Sequence, residues 1–456
     1  MFEDKVSQMI QQEKMFPEGT RVLIAVSGGA DSVCLFHFLR LWARPAGVQL
    51  HVVHLHHMLR DSADADETFV RQMCQEHGVP LTVGRTDVGA AARLEGCSVE
   101  EAGRNARMLF FRETAQREQC SRVALGHHTD DQAETIIQNL LRGAGSNGLG
   151  GMRPVRDIWC RPLLGVSRNE IIAWLQKQGY TWREDETNQE EQFNRNRIRH
   201  RLIPLMQEFN PQISRHLAEL GIILKAEHDY LENQMKRFAI GHLEQWGLYC
   251  IRSFLSPLED CPAAIRLRLW MECYRLLTGR GLERRYVLQV ENSFNAERND
   301  VGLPGGIKAG FRKDRMIWYS DGDQPERYQV LLREPGIVQA GCGMELDIRR
   351  VPGRKWAELS DDSGRQVFVD EEKVPWPLVI RSPEPGDGYV PFGSKHHKSL
   401  REMFSDRGFP GDIRRAMPVF IDGQGRTFWA GGLRIANDVQ VSEVTQSVLR
   451  ILVRLN

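Results

Sequence analysis

A short apolar run, two adjacent glycines and a helix-like stretch near the N-terminus constrain the fold most. Residues 22–26 read Val-Leu-Ile-Ala-Val, residues 27–32 read Ser-Gly-Gly-Ala-Asp-Ser, and an apolar stretch with helical spacing follows. Adjacent glycines let the main chain approach an anion closely, because no Cβ stands in the way. The unpaired N–H groups that open a helix point at such an anion. The pattern therefore predicts a strand, a phosphate-binding turn and a helix.

This turn lacks the lysine that the common P-loop places beside its last glycine to reach the β and γ phosphates. Ala30, Asp31 and Ser32 stand there instead. An acidic residue beside phosphates points to a bridging Mg²⁺ at Asp31 or to a positioning role around pyrophosphate. We expect a loop that holds the β and γ phosphates of its ligand as one leaving unit. The alternative is an ordinary helix N-cap, which a lone Ser-Gly-Gly would favour. The predicted nucleotide-binding residues of the turn are Ser27, Gly28, Gly29, Ala30, Asp31 and Ser32.

Strand-like and helix-like stretches alternate between about residues 20 and 185. Alternation of this kind favours an α/β fold with a doubly wound, mostly parallel sheet covered by helices on both faces. Ligands in such folds bind at the carboxyl ends of the strands. A chain of 456 residues is also too long for one ordinary core. We predict a catalytic domain over 1–210, a middle domain over 211–370 that is helical and then strand-rich, and a small α+β domain over 371–456.

The composition is that of an ordinary globular chain. No apolar run approaches the roughly 20 residues that span a bilayer, and residues 1–16 carry no apolar signal core. The nine cysteines are scattered, with no Cys-x-x-Cys pair, which favours reduced thiols and a cytoplasmic location without membrane contact. The formal net charge is zero, so any nucleic-acid surface must be local.

A second group of polar residues follows the strand-like residues 122–126. His127, Asp130, Asp131 and Glu134 cluster at a predicted helix start, where Asp131 and Glu134 share one face. Acids near a helix N-terminus are stabilising and a capping box fits here, but three acids and a histidine exceed what a cap needs. The group is suited to an ammonium substrate or to Mg²⁺. The apolar residues predicted to rest this helix on the sheet are Ile136, Ile137, Leu140 and Leu141.

Two further pairs of residues are candidates for the site. Arg104 and Arg107 lie on one helical face, suited to phosphate or to the charge that develops on an adenylate. Taken alone, an exposed face paired with neighbouring acids is the simpler interpretation. His54 and His56 share one face of a strand, and no matched Cys or His pair accompanies them, which disfavours zinc. A strand end that faces a nucleotide is the better interpretation.

The Ser-Gly-Gly-Ala-Asp-Ser string resembles the pyrophosphate-loop (PP-loop) signature of the ATP-pyrophosphatase superfamily, whose members split ATP between the α and β phosphates. The strings HHTDDQAET, LLRG, GLGGM, RPLL and NRNRIRHRLIP follow in this order. Together with the tail KSLREMFSDRGFPGDIRRAMPVFIDGQGRTFWAGGLRIAND, they resemble the tRNA(Ile)-lysidine synthetase family. The resemblance covers roughly residues 1–210 and the C-terminal tail well, and the middle more weakly.

This resemblance implies a two-step ligation. ATP adenylates the C2 oxygen of the wobble cytidine in an isoleucine tRNA with a CAU anticodon, and free L-lysine then attacks C2 through its ε-amine and releases AMP. The product, lysidine, pairs with A instead of G and changes the identity of the tRNA from methionine to isoleucine. It implies that the loop binds ATP with His54 and His127 nearby, that Asp31 works with Mg²⁺, and that Asp131 and Glu134 hold lysine. It also implies that Arg104 or Arg107 steadies the adenylated intermediate.

Two basic stretches are candidates for tRNA contacts. The first has four arginines within seven residues and no acid among them, a pattern suited to sequence-independent phosphate contacts, although a solvated helix face is the plain alternative. The second lies near Phe404 and Phe409 and is suited to an acceptor stem or to stacking on a base. The candidates are Arg195, Arg197, Arg199 and Arg201 in the first stretch, and Lys398, Arg401, Arg414 and Arg415 in the second.

Three alternatives stay open at the level of sequence. A tRNA 2-thiolation enzyme would share the ATP loop but usually needs paired cysteines or an iron–sulfur cluster. An ammonia-fed amide synthetase would need a glutaminase domain. A non-catalytic tRNA-binding protein would keep a relic ATP site. The sequence leaves open the oligomeric state, with a homodimer as one expectation, and which acid contacts lysine.

Overall fold

The chain forms two compact units, Met1–Asp229 and Tyr230–Asn456, and the boundary between them falls within one long helix. In the part of the chain that the structure describes, no helix is both long enough and apolar enough to cross a membrane. The computed structural model describes residues 1–58, 63–183, 194–246, 250–296, 298–320, 326–341, 343–352, 365–411, 413–442 and 444–455.

The first unit is built on a six-stranded sheet. Its strands are β1 Arg21–Ala25, β2 Gln49–His56, β3 Leu81–Arg85, β4 Arg122–Ala124, β5 Val155–Arg156 and β6 Trp159–Cys160. Their order is β3-β2-β1-β4-β6-β5, and every neighbouring pair is parallel except β5 and β6. The chain order reverses between β1 and β4, and a ligand site is expected at the carboxyl ends of these two strands.

Helices cover both faces of this sheet. Along β1, Val22 and Ile24 face one apolar core, whereas Leu23 faces the other with Val123 and Phe111. This alternation follows from the two-residue period of a strand, and it confirms the predicted doubly wound sheet. The helices of the unit are α1 Phe2–Gln12, α2 Ala30–Ala43, α3 Ala63–His77, α4 Val88–Glu95, α5 Val99–Arg117, α6 Thr129–Leu141, α7 Ser146–Leu149 and α8 Arg168–Gln178.

A basic helical stretch follows the catalytic sheet and contains a π turn. The stretch consists of α9 Asn194–Arg197, a π segment Ile198–Leu202 and α10 Ile203–Phe209, and the long helix α11 Ile213–His242 comes next. Pro204 has no N–H to donate back into the helix, and the π segment ends two residues before it, at Leu202. Ile198 and Ile203 pack against Ile137 of α6, which places the stretch beside the start of α6.

One packing prediction for α6 is half wrong. Ile136 and Ile137 are buried as expected, but Leu140 and Leu141 are 59% and 69% exposed. The last turn of α6 is therefore not covered by the sheet, and the apolar pattern overestimated how far the contact extends.

The second unit begins with a helical layer on a five-stranded sheet. Helices α12 Leu255–Asp260, α13 Ala263–Thr278 and α14 Arg284–Asn295 share one core with the sheet through residues such as Trp270, Val290 and Trp318. The sheet has the order β7-β8-β11-β10-β9. Its strands are β7 Glu244–Trp246, β8 Cys250–Phe254, β9 Val301–Leu303, β10 Ile307–Arg312 and β11 Arg315–Ser320.

Among the residues that the structure describes, the C-terminal part adds two four-stranded sheets, a two-stranded sheet and one α-helix. The predicted succession of a helical middle and an α+β C-terminal part is confirmed. The long strand β21 Ser447–Leu455 pairs with β14 Met344–Pro352 and β15 Gln366–Asp370. One sheet thus joins strands from both sides of residue 370, and the domain boundaries at 210 and 370 stay predictions. The other elements are β12 Gln329–Leu332, β13 Ile337–Ala340, β16 Leu378–Arg381, β17 Gly388–Tyr389, β18 Lys398–Ser399, α15 Leu400–Asp406, β19 Val419–Ile421 and β20 Thr427–Ala430.

Candidate active site

The glycine turn between β1 and α2 is held open by hydroxyl groups and main chain. Ser32 Oγ accepts the N–H of Ser27 at 3.1 Å and donates to the carbonyl of Gly29 at 3.0 Å. Ser27 Oγ lies 3.2 Å from Ser32 Oγ. Gly28 has φ +100°, a conformation that only glycine adopts readily. The N-cap of α2 is Gly29, without a side-chain cap, so the capping role considered for Asp31 or Ser32 is wrong.

Asp31, in the first turn of α2, is aimed at the edge of the sheet. A Cβ on Gly126, which follows β4, would lie 3.2 Å from the main-chain carbonyl of Asp31, so glycine is what allows these two segments to touch. Asp31 Oδ2 accepts a hydrogen bond from Arg168 Nη1 at 3.2 Å. Asp31 Oδ1 is buried and accepts no hydrogen bond from any residue that the structure describes. Burial raises the pKa of Asp31, against the opposing charges of His128 and Arg168.

His54 supports the loop from the neighbouring strand. It is 4% exposed at the end of β2, and its Nδ1 lies 2.8 Å from the carbonyl oxygen of Val26, directly before the loop. Burial lowers the pKa of His54, so the ring is neutral at pH 7 and donates this hydrogen bond. The structure thus brings His54 to the loop, in contact with its main chain.

His128 connects the loop to the start of α6. It is the N-cap of α6. In the neutral ring its Nδ1 accepts the N–H of Asp130 at 3.2 Å, and in the protonated ring the same nitrogen donates to Asp130 Oδ2, which lies 3.4 Å away. On the other side of the ring, Nε2 lies 3.7 Å from Asp31 Oδ2 and 3.4 Å from Asp131 Oδ2. Burial opposes a charge on His128, but the carboxylates of Asp130, Asp131 and Asp31 outweigh it and raise the pKa of His128.

Asp131 and Glu134 lie on one buried face of α6, as predicted from their spacing. Both carboxylates are paired with arginines from the basic helical stretch. Asp131 Oδ1 accepts from Arg195 Nη2 at 2.8 Å and from Arg199 Nη2 at 3.0 Å. Glu134 accepts from Nε of both arginines. Although burial opposes ionisation, His128 and Arg195 lower the pKa of Asp131. Asp131 is therefore ionised, and each of the two carboxylates is paired with both guanidinium groups.

This pairing corrects one expectation about the basic stretch. The four arginines were predicted to lack compensating acids, and for Arg195 and Arg199 that is wrong, because the acids come from α6, more than 60 residues away in sequence. Arg197 and Arg201 point to solvent. The predicted tRNA contacts of the stretch therefore divide into an inward pair and an outward pair.

His127, Arg104 and Arg107 lie on the same side of the sheet edge. His127 Nδ1 is buried with no hydrogen-bond partner among the described residues. Burial lowers the pKa of His127, and the charges of Arg161, Arg195 and Arg107 act in the same direction. Arg104 and Arg107 are exposed on α5, and the charge of Arg104 acts on Arg161 in the same way. The carboxylate of Asp131 opposes these arginines by raising the pKa of His127, so His127 lies among charges of both signs.

The C-terminal candidates lie in the second unit. Lys398, Arg401 and Arg415 are exposed, and Arg414 is half-buried; Arg414 Nε donates to the carbonyl of Phe409. The expected stacking of a base on Phe404 or Phe409 is wrong, because each ring is 1% exposed within the apolar core. The two rings pack edge to face with each other at 5.4 Å.

Two residues at the site were missed from the sequence. His128 was passed over beside His127, because the capping box was expected to begin at Thr129, whereas it begins one residue earlier, at His128. Arg168 opens α8 behind the capping box of Ser167 and Glu170. The main-chain N–H of Arg168 donates to Asp130 Oδ2 at 2.9 Å. The capping box of Ser167 and Glu170 could have indicated Arg168, because it marks the start of a helix at the same edge of the sheet.

A parallel sheet with a glycine loop, a buried acid pair and a histidine between them defines a nucleotide-dependent ligase of the PP-loop type. Family comparisons agree: a PP-loop domain matches residues 1–206 and a TilS substrate C-terminal domain matches residues 378–452. The chain is 32% identical to a tRNA(Ile)-lysidine synthase of Geobacter sulfurreducens, over 99% of this chain and 96% of the relative.

Two other relatives carry the same name. The one from Solibacter usitatus is 33% identical over 90% of this chain and 93% of its own length. The one from Caldanaerobacter subterraneus is 30% identical over 98% of this chain and 97% of its own length. The chain belongs to the tRNA(Ile)-lysidine synthase family, and the predicted family and ligase class are confirmed.

Proposed function

We propose that the chain joins free lysine to C2 of the wobble cytidine in an isoleucine tRNA with a CAU anticodon. In the first step the cytidine O2 attacks the α phosphorus of ATP, and pyrophosphate leaves with the electron pair of the broken P–O bond. In the second step the lysine ε-amine adds to C2 and loses a proton. AMP then leaves with the former O2, which produces lysidine.

The glycine loop is the part of the site suited to ATP. Its unpaired N–H groups and the hydroxyls of Ser27 and Ser32 are donors for the β and γ phosphates. His54 keeps the main chain of Val26 in place through its 2.8 Å contact. His127 has an unpartnered ring nitrogen toward the same edge, which supports its assignment to the nucleotide.

Asp31 fits one Mg²⁺ ion. Its Oδ1 is buried and accepts no hydrogen bond from the described residues, and Mg²⁺ is commonly held by one or two carboxylates together with substrate phosphates. When bound, the ion would neutralise phosphate charge. Asp31 itself would orient the first turn of α2 toward that ion, and Arg168 and His128 would keep the other carboxylate oxygen, Oδ2, in place.

Asp131 and Glu134 are the residues suited to lysine. Two carboxylates on one buried face complement an ammonium group, and Arg195 and Arg199 contact their oxygens in this structure. Lysine would share or replace those guanidinium contacts. The exposed guanidiniums of Arg104 and Arg107 on α5 are suited to the charge on the adenylated cytidine.

The tRNA itself would be held by charges that face solvent. Arg197 and Arg201 in the basic stretch support this assignment because they are exposed, as do Lys398, Arg401 and Arg415 in the second unit. Arg414 completes the predicted set. A cytoplasmic location belongs to the proposal, because free lysine, ATP and tRNA are the proposed substrates. The homodimer stays a prediction.

The observation that carries the proposal is the contact of one imidazole with both half-sites. His128 Nε2 lies within 3.7 Å of Asp31 beside the loop and within 3.4 Å of Asp131 in the acid pair. Chemistry at the α phosphate and attack by an amine can therefore share one small volume, as adenylation followed by displacement requires.

Transfer of labelled lysine into RNA tests the proposal directly. The chain is incubated with labelled lysine, ATP, Mg²⁺ and either the CAU isoleucine tRNA or the CAU methionine tRNA. We expect label in the isoleucine tRNA, with ATP converted to AMP and pyrophosphate. No incorporation into that tRNA, or conversion of ATP to ADP, would contradict the proposal.

The thiolation alternative is not favoured by any described residue. Of the cysteines that the structure describes, Cys97 alone is not buried. Burial raises the pKa of the Cys120 and Cys160 thiols to about 11. Neutral buried thiols are poor sulfur carriers and poor cluster ligands.

A further inference from the structure

We propose that Arg168 supplies the positive charge that this phosphate loop lacks, and that its guanidinium binds the β and γ phosphates of ATP. This inference rests on the proposed use of ATP at the loop. It assigns a nucleotide-binding role to a residue 137 positions after Asp31 in sequence, outside the loop and outside the acid pair.

The position of Arg168 is fixed from two directions. Its main-chain N–H donates to Asp130 Oδ2 at 2.9 Å, and its Nη1 donates to Asp31 Oδ2 at 3.2 Å. Asp31 stands two residues after Gly29, so a guanidinium in contact with its carboxylate is within one side-chain length of a phosphate seated on the loop. Arg168 thus reaches from α8 to the corner where a P-loop lysine would stand.

The guanidinium of Arg168 also keeps donors available. Its Nη1 contacts Asp31, whereas Nε and Nη2 have no hydrogen-bond partner among the residues that the structure describes. The side chain is 43% exposed. An arginine has five donors in a rigid fork that suits two phosphate oxygens at once. A single contact with Asp31 leaves most of that fork for a ligand.

A contact between Arg168 and the β phosphate would assist the first chemical step. When the bond between the α phosphorus and its bridging oxygen breaks, the electron pair leaves on pyrophosphate and negative charge grows there. A fixed guanidinium beside the β phosphate stabilises that charge without a proton transfer. The loop glycines alone provide only N–H dipoles, and Asp31 adds negative charge.

Nucleotide titrations of variants test this role. Calorimetric affinities for ATP, ADP and AMP are compared, in Mg²⁺ buffer, between the wild-type chain, Arg168→Gln and Arg168→Lys. Loss of a charge-assisted contact predicts about 10- to 100-fold weaker ATP binding by Arg168→Gln and unchanged AMP binding. Arg168→Lys should be intermediate, because lysine keeps the charge but not the fork.

Arg112→Gln is the matched control. Arg112 is also half-exposed and also pairs with one aspartate, Asp157, at 2.8 Å, so its loss should leave ATP affinity unchanged. Wild-type ATP affinity in Arg168→Gln, or an equal loss for ATP and AMP, would overturn the inference alone. A wild-type chain that binds no ATP would instead overturn the proposed function and this inference together. If Arg168→Gln does not fold, the affinities of Arg168→Lys for ATP and AMP decide the question. A selective loss of ATP affinity supports the inference, and an unchanged ratio of the two affinities overturns it.

Discussion

The two strand-to-helix turns that meet at this site are built in opposite ways. The turn from β1 to α2 is held mainly by its own hydroxyls and main chain, with His54 and the main-chain N–H of Arg183 as supports from outside the turn, and it leaves N–H donors for an anion. The turn from β4 to α6 is crowded with charge, and its carboxylates are paired with arginines more than 60 residues away. The first turn can accept a phosphate as it stands, whereas the second must exchange partners to accept an ammonium.

The comparison assigns a different half-reaction to each turn. If it is correct, changes at the first turn should affect ATP cleavage and leave the protein stable, and changes at the second should affect lysine transfer and stability together. Five variants, each compared with the wild-type chain, test this division.

The largest effect is expected from Asp31→Asn at the first turn. It removes the carboxylate charge next to the phosphates, and tRNA-dependent release of pyrophosphate should fall by about 100- to 1,000-fold. The affinity for tRNA, measured by filter binding, should stay nearly unchanged. Asp157→Asn, at an exposed aspartate, is the control. A parallel loss of tRNA binding would mean that Asp31 is structural.

Glu134→Gln at the second turn should separate the two steps. Pyrophosphate release should persist while labelled lysine incorporation falls at least about 10-fold, because one buried charge facing the ammonium is gone. Arg195 and Arg199 are partly exposed, so their lost pairing should lower the free energy of unfolding by only about 1–3 kcal/mol. Glu219→Gln, whose surface pair with Arg215 is exposed, should change neither quantity. An equal loss of pyrophosphate release and of lysine incorporation would contradict the assignment of one half-reaction to each turn.

Arg197→Ala tests the outward pair of arginines, and Arg199→Ala tests the inward pair. Loss of the exposed Arg197 should reduce the slope of log affinity for tRNA against log salt by about 1. Arg199→Ala should lower stability, because Asp131 and Glu134 lose a partner, and should leave the slope nearly unchanged. A reduced salt slope for Arg199→Ala, with an unchanged slope for Arg197→Ala, would indicate that the inward arginines contact tRNA instead.

The smallest effect is expected from the pH dependence of His128→Asn, which keeps an N-cap acceptor. The pKa of His128 is raised in the folded chain, so its contribution to stability is full below its unfolded pKa, near 6.5, and is lost as pH rises through the folded pKa. The wild-type advantage in melting temperature should therefore be larger at pH 6 than at pH 9. An advantage that grows with pH would contradict the charged role of His128.

The same contrast explains what could be predicted from the sequence. The loop from Ser27 to Ser32 depends on neighbours in the chain, and its strand, turn and helix were predicted correctly. The sharing of one face by Asp131 and Glu134 is also local. Their pairing with Arg195 and Arg199 depends on how the basic stretch packs through Ile198 and Ile203, and no periodicity within a window of the sequence contains that contact.

Other errors have the same origin. Phe404 and Phe409 lie among basic residues in sequence, but the apolar core of the second unit surrounds them. Arg168 was missed because its partner Asp31 is 137 residues away. Features set by neighbouring residues, such as the loop and the shared face of α6, can therefore be predicted from the sequence. Which arginine pairs with which carboxylate depends on tertiary contacts and requires the structure.

The bare main chain at Gly126 has a consequence for variation at this site. Any side chain there, even a single methyl group, would press on the backbone of Asp31 and Ser32 at 3.2–3.3 Å, and the first turn of α2 would have to retreat by a few tenths of an ångström. The position of the first turn of α2 therefore depends on the absence of a side chain at a residue nearly 100 positions away in sequence, outside the proposed phosphate loop.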